Sequence, residues 1–220
     1  MTKRKYWEQR IFRTLAAFLL LGLTAQTNLD EPFGLSTVTT STVPLSTNWN
    51  DLQSQIDMEQ AIVAQCRGEA KFCSSRAAAR FVAILNQGEQ HDGIARIGHI
   101  NRAANLAIRA TKKYFDKWTS PLETLARGVG DCKQYAVLKY VALNEAGYDA
   151  DRLRIVIVED KMQHLPHAVV AVRSGGQWIV LDNRSYALVE SSEFLKRYTP
   201  VAVVPQLLQR ELHKAEHKIR

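Results

Sequence analysis

The chain has 220 residues, 46% hydrophobic and 23% charged, proportions that exclude a wholly disordered or collagen-like protein. Its three cysteines are too few for a disulfide scaffold. The formal charge of +7 falls to +3 once residues 1–25 are set aside, and no basic stripe interleaved with aromatics remains, which argues against nucleic acid as a partner.

Residues 1–13 carry Lys3, Arg4, Lys5, Arg10 and Arg13 against Glu8, and an apolar run follows at 15–23 (LAAFLLLGL). That run is shorter than the roughly 20 apolar residues a bilayer span needs, and small residues follow it. The pattern predicts a signal peptide over 1–25, cut after Ala25, and hence export. Residues 26–48 read as an extended leader, Ser/Thr-rich over 36–47 and containing Pro44. The folded domain is expected over 49–205, and 206–220 as a helical tail.

Apolar spacing predicts helices over 50–65 (Leu52, Ile56, Ile62 and Val63 inward, Glu59 the polar exception), 74–87 (Ala77, Phe81, Ile84, Leu85) and 94–114 (Ile97, Ile100, Ala104, Ala107, Ile108). Ser120-Pro121 opens a short helix, since proline suits the first helical turn. Residues 132–146 form the next helix, which Gly147 stops. Three β-branched stretches, 154–158, 167–173 and 178–182, then read as strands. Gly175-Gly176 joins the last two as a tight hairpin, because that turn needs positive φ. Helices followed by an antiparallel sheet indicate an α+β domain.

Cys66 and Cys73 would lie about 10 Å apart on a continuous helix, too far for a disulfide. Gly68 and the charged spacer point instead to a break that brings them together, and in an oxidising compartment a Cys66–Cys73 bridge is expected; two buried thiols are the alternative. Cys132 is then left over. It lies in Gly128-Val129-Gly130-Asp131-Cys132, at the start of a helix, where unpaired N–H groups and the helix dipole favour a thiolate. A small buried structural cysteine is the alternative there.

A thiol nucleophile needs a base, and the base needs an orienting group. With Gly175-Gly176 as a two-residue loop, Ser174 pairs with Gln177, Arg173 with Trp178 and Val169 with Asp182. His167 and Asp182 then project from one face as diagonal neighbours about 7–8 Å apart, within reach of an imidazole–carboxylate bond. His164 is a competing base, three residues earlier and separated by Pro166. A zinc site from Cys132, His164, His167 and Asp182 lacks a standard spacing. His213-Lys214-Ala215-Glu216-His217 matches an inverted zinc-protease pattern but sits on a charged terminal segment with no third ligand downstream, and reads as a solvated helix end.

Three groups of residues resemble a known family: Trp118-x-Ser120-Pro121-x-Glu123-Thr124-Leu125, Gly128-x-Gly130-Asp131-Cys132-x-x-Tyr135-Ala136 and Lys139-Tyr140-x-Ala142-Leu143. So do His167-Ala168-Val169-Val170-Ala171 and Leu181-Asp182-Asn183-Arg184. Together, over about 31–204, they resemble the bacterial transglutaminase-like cysteine proteinases, in particular LapG-like periplasmic proteases. The resemblance implies a papain-like, transglutaminase-type fold with Cys132 as nucleophile, His167 as general base and acid, and Asp182 as orienter. It also implies Trp118 as an oxyanion donor through its indole N–H, although a core aromatic is the plainer role for that residue. LapG-type members bind calcium through acidic residues beside the cysteine. Here only Asp131 remains of that cluster, Lys133 and Gln134 filling the other positions, so no calcium cofactor is expected. Lys133 is expected to favour the thiolate instead. The family further implies a protein substrate such as a biofilm adhesin, and control by an inner-membrane cyclic-di-GMP receptor. The primary expectation is an exported, periplasmic cysteine endopeptidase; a transglutaminase-type acyl transferase and a non-catalytic binding module are the alternatives.

Overall fold

The computed structural model describes residues 31–35, 49–111, 115, 117–204 and 207. The signal peptide expected over 1–25, and all of the expected tail helix except Leu207, lie outside the described residues.

Helix α1 (Trp49–Gly68) buries Leu52, Ile56 and Val63. Ile62, expected inward, is exposed, because six residues along from Ile56 it lies about 120° around the helix from that residue, outside the buried stripe. Glu59, the polar exception on this face, takes the Ser120 hydroxyl and the Leu122 N–H. It thereby ties α1 to the start of a later helix. After Gly68 a single turn, Ala70–Phe72, redirects the chain, and Cys66 and Cys73 are joined by a disulfide.

Ser75 caps α2 (Arg76–Glu89) by accepting from the Ala78 N–H. A Cβ at Gly88 would lie 2.5 Å from Ile100 Cγ1, so glycine permits the close crossing with α3 (Gly93–Ala107). The third helix is shorter than the expected 94–114. Arg80 donates to the carbonyls of Ala107 and Leu125, the β-branched Ile108 turns extended at φ −133°, and β1 (Arg109–Ala110) pairs in parallel with β2 (Val129–Gly130). Between these two strands, α4 (Pro121–Arg127) starts at the Ser120 cap and ends at Gly128, whose φ of 71° suits glycine.

Helix α5 (Cys132–Glu145) is buried from Cys132 through Asn144, being enclosed by the other helices on one side and by the sheet on the other. Strands β3 (Leu153–Asp160), β4 (Leu165–Ser174), β5 (Gln177–Leu181), β6 (Val189–Glu190) and β7 (Tyr198–Val203) form one antiparallel sheet of order β6-β5-β4-β3-β7. The β4–β5 register pairs Ser174 with Gln177 and Arg173 with Trp178, as the hairpin argument requires, with Gly175 and Gly176 at φ 58° and 82°. The sheet is buried on both faces. Ile155, Ala168, Val170, Val172 and Leu181 belong to the main core with α5. Val156, Val158, Val169, Ala171 and Val180 form a second cluster with Phe194, on α6 (Ser191–Arg197), and Tyr198.

Residues 31–35 fall in the stretch expected to be an extended leader, yet they pack on that second cluster. Glu31 meets Arg154 at 2.6 and 2.9 Å, and Phe33 stacks on Phe194 at 5.7 Å.

Candidate active site

Cys132 is the first residue of α5, and the local sequence explains why the helix begins there. Asp131 is the N-cap: its Oδ1 accepts the Lys133 N–H at 2.9 Å, while Gln134 Oε1 accepts the Asp131 N–H at 3.0 Å. This reciprocal pair satisfies two otherwise orphaned donors. Gly130 makes the approach possible, since a Cβ there would lie 2.7 Å from Gln134 Cβ. The Cys132 thiol is the one cysteine outside the disulfide and is buried.

His167 sits near the start of β4 and Asp182 immediately follows β5. Both are buried, and His167 Nε2 lies 2.8 Å from Asp182 Oδ1. Asp182 Oδ1 also accepts the Arg184 N–H at 3.0 Å, and its Oδ2 accepts the Tyr198 hydroxyl at 3.1 Å. Burial works against a charged imidazole at His167, but hydrogen bonds with the Asp182 and Cys132 side chains more than offset it, and the His167 pKa is raised above its ordinary value. Burial likewise works against the Asp182 carboxylate, yet the His167 bond and charge and the Arg184 N–H hold its pKa down at about 2. With Nε2 engaged by Asp182, Nδ1 is the ring nitrogen left for Cys132.

His164, the competing base, lies in the turn before β4 at φ 52°, its side chain 78% exposed and 3.3 Å from Glu159. It therefore takes no part in the buried cluster, and the zinc set that would have included it is not assembled. Among the described residues no three His, Cys, Asp or Glu side chains are arranged to hold a metal ion. The 213–217 motif lies outside the described residues. Trp118 is buried edge-on against Trp49, with ring centroids 5.6 Å apart, in the helical part of the core.

The calcium that the family resemblance brings with it does not fit these residues. A calcium ion takes about six to eight oxygen ligands. Asp131 Oδ2 instead accepts the Phe115 N–H at 2.8 Å and the Lys133 ammonium at 2.9 Å, both Asp131 and Lys133 being buried. A cation supplied by the chain already meets this carboxylate. Gln134 Nε2 ties the same corner to the Lys117 carbonyl at 2.8 Å.

Several residues of the site were not singled out from sequence. Asn105 donates to the Asp182 and Ser185 carbonyls at 3.1 and 2.9 Å, and Asn101 donates to those of Ser185 and Tyr186 at 3.3 and 3.2 Å. Together they fasten the loop after Asp182 to α3. Their signal was present: two asparagines spaced i, i+4 on an otherwise apolar helical face.

Lys139, which the sequence offered only as part of the family resemblance and without a role, is the other such group. It is 1% exposed, its Nζ has no hydrogen-bond partner among the described residues, and it lies 5.9 Å from the Tyr135 ring centroid. Burial drives its pKa down to about 7, opposed by the Asp182 charge. A lysine whose folded pKa is depressed destabilises the fold fully below that pKa, and the penalty disappears as pH rises towards the unfolded value. Lys139→Met is therefore expected to stabilise the protein by about 1–3 kcal/mol. The gain in denaturant unfolding should be largest below pH 7 and shrink towards pH 10; a less stable Met variant would contradict this account of the buried amine.

Comparison with known proteins places this geometry. The family model described as "Bacterial transglutaminase-like cysteine proteinase BTLCP" matches residues 55–200, a stretch that contains Cys132, His167 and Asp182. A search of curated proteins gives no match. Among solved structures, Legionella pneumophila LapG is 18% identical with a TM-score of 0.55, the match covering 69% of this chain and 84% of that one. Calcium-bound LapG from the same organism is 20% identical with a TM-score of 0.54, covering 63% and 81% respectively. These likenesses show a shared fold, consistent with the papain-like, transglutaminase-type arrangement of helices on an antiparallel sheet. On the family match, the chain belongs to the bacterial transglutaminase-like cysteine proteinases.

Proposed function

We propose that this protein is an exported, periplasmic cysteine endopeptidase that cleaves a cell-surface or periplasmic protein, of which a biofilm adhesin is the leading example. The observation that carries this reading is the buried His167 imidazole, which is hydrogen-bonded to Asp182 at 2.8 Å and feels the side chain of Cys132, the first residue of a helix.

The chemistry follows from that arrangement. His167 Nδ1 takes the Cys132 proton while Nε2–H stays bonded to ionised Asp182. The thiolate attacks the scissile carbonyl carbon, and the carbonyl π electrons move to oxygen. The Cys132 backbone N–H at the start of α5 is available to that oxyanion, aided by the helix dipole. When the tetrahedral intermediate collapses, the imidazolium gives its proton to the departing amine and a thioester remains on Cys132. Water then attacks the thioester, losing its proton to His167, and the acid product leaves with the thiol restored. Trp118 is a second candidate donor to the oxyanion.

The test is incubation of the purified protein with cell-surface proteins in the presence of a primary amine. Peptide-bond cleavage that is lost in Cys132→Ala is expected. Amine incorporation without cleavage would assign the site to acyl transfer instead.

No step in this scheme calls on calcium, and the Asp131–Lys133 pair leads to a direct prediction. EGTA is expected to leave both the cleavage rate and the melting temperature unchanged, and calorimetric titration with Ca²⁺ to show no saturable heat. Tight calcium binding that is lost in Asp131→Ala would refute it.

A further inference from the structure

Among the described residues the Asp182 carboxylate receives three donors, and one comes from a strand that the sequence did not announce. Tyr198 opens β7 and is buried. Its ring stacks on Phe194 at 4.4 Å and on the His167 imidazole at 5.6 Å, with 20° between the latter two planes. Its oxygen accepts from Arg184 Nη1 at 3.1 Å, which directs the single hydroxyl proton elsewhere, and Asp182 Oδ2 stands 3.1 Å away as acceptor. Arg184 is itself held by Asp160 Oδ2 at 2.8 Å, an oxygen that Arg197 also meets at 3.0 Å. Asp160 is fully buried, and its other oxygen accepts the Met162 and Gln163 N–H groups. The hydroxyl is thus braced from behind by a fixed ionic frame.

We propose that Tyr198 is a positioning residue of the active site: its hydroxyl fixes the rotation of the Asp182 carboxylate so that Oδ1 stays on His167 Nε2, and its ring sets the plane of the imidazole. The proposal rests on the reading of Cys132, His167 and Asp182 as a catalytic triad. A carboxylate turns easily about its terminal torsion, so one anchored oxygen determines where the other points. The backbone N–H of Arg184 bonds the same oxygen as His167 and cannot supply this second anchor. Burial and the neighbouring Asp182 charge raise the Tyr198 pKa above its ordinary value, so the hydroxyl remains a donor throughout the working pH range.

Tyr198→Phe keeps the ring and removes only the hydroxyl. It is expected to lower kcat about tenfold with KM unchanged, the pattern of an interaction that matters in the transition state. Near-UV circular dichroism should match wild type, and the NMR resonance of the His167 Nε2 proton should shift or broaden. Tyr198→Leu, which also removes the stacking ring, should lose more. Wild-type kcat and an unchanged His167 resonance in the Phe variant, alongside an inactive His167→Ala, would overturn the proposal and leave the triad standing. Wild-type activity in His167→Ala would remove the triad and this proposal together.

Discussion

His167→Ala is expected to lower kcat/KM for peptide cleavage by about a thousandfold or more, because every proton transfer of the proposed reaction runs through this one ring. The fold should survive the change. Asp182 would keep its bonds from the Arg184 N–H and the Tyr198 hydroxyl, so no orphaned carboxylate is left in the core. A melting temperature close to wild type with cleavage gone would therefore separate chemistry from structure. Substantial residual cleavage would mean that another group deprotonates Cys132. His164 is poorly placed for that, being exposed and paired with Glu159.

Asp182→Asn is the second large effect. Asparagine offers one acceptor oxygen where aspartate offers two, and it carries no charge. It therefore cannot serve His167, Arg184 and Tyr198 as the carboxylate does. A loss of about 10²–10⁴ in kcat is expected. The pH profile should also move in a definite direction. Asp182 is the main influence raising the His167 pKa against burial. Removing its charge lowers that pKa, so the alkaline limb of kcat/KM should shift to lower pH. Stability follows the opposite sense of titration. A carboxyl held at about 2 in the folded state contributes stability above the unfolded carboxylate range, and this is lost as pH falls towards 2. The wild-type advantage over the Asn variant should hold at neutral pH and vanish near pH 2. An unshifted alkaline limb would contradict the assigned coupling.

Much of this site could be read from the chain because its parts are local. Gly-x-Gly-Asp followed by an apolar run marks a capped helix, and it put Cys132 at that helix's start. The period-2 pattern and the Gly175-Gly176 turn fixed the β4–β5 register, which in turn put His167 and Asp182 on one face. What escaped was non-local or short. β6 is two residues long, and Pro200 interrupts the β7 pattern, so nothing announced that Tyr198 would reach Asp182. Arg184 and Asp160 are far apart in sequence and meet only through the folded sheet. The early end of α3 was equally hidden, since it depends on Arg80 reaching across from α2. Ile62 was misjudged for a simpler reason, as an apolar residue outside the 3.6-residue stripe.

On the proposed mechanism, Cys132 becomes a nucleophile because His167 takes its proton. The direct measurement is the rate at which a thiol-directed electrophile labels Cys132 at neutral pH, followed by intact mass in the wild type and in His167→Ala. Rapid, single-site labelling of the wild type and its loss in the variant are expected. Equal labelling rates in the two proteins would contradict this mechanism.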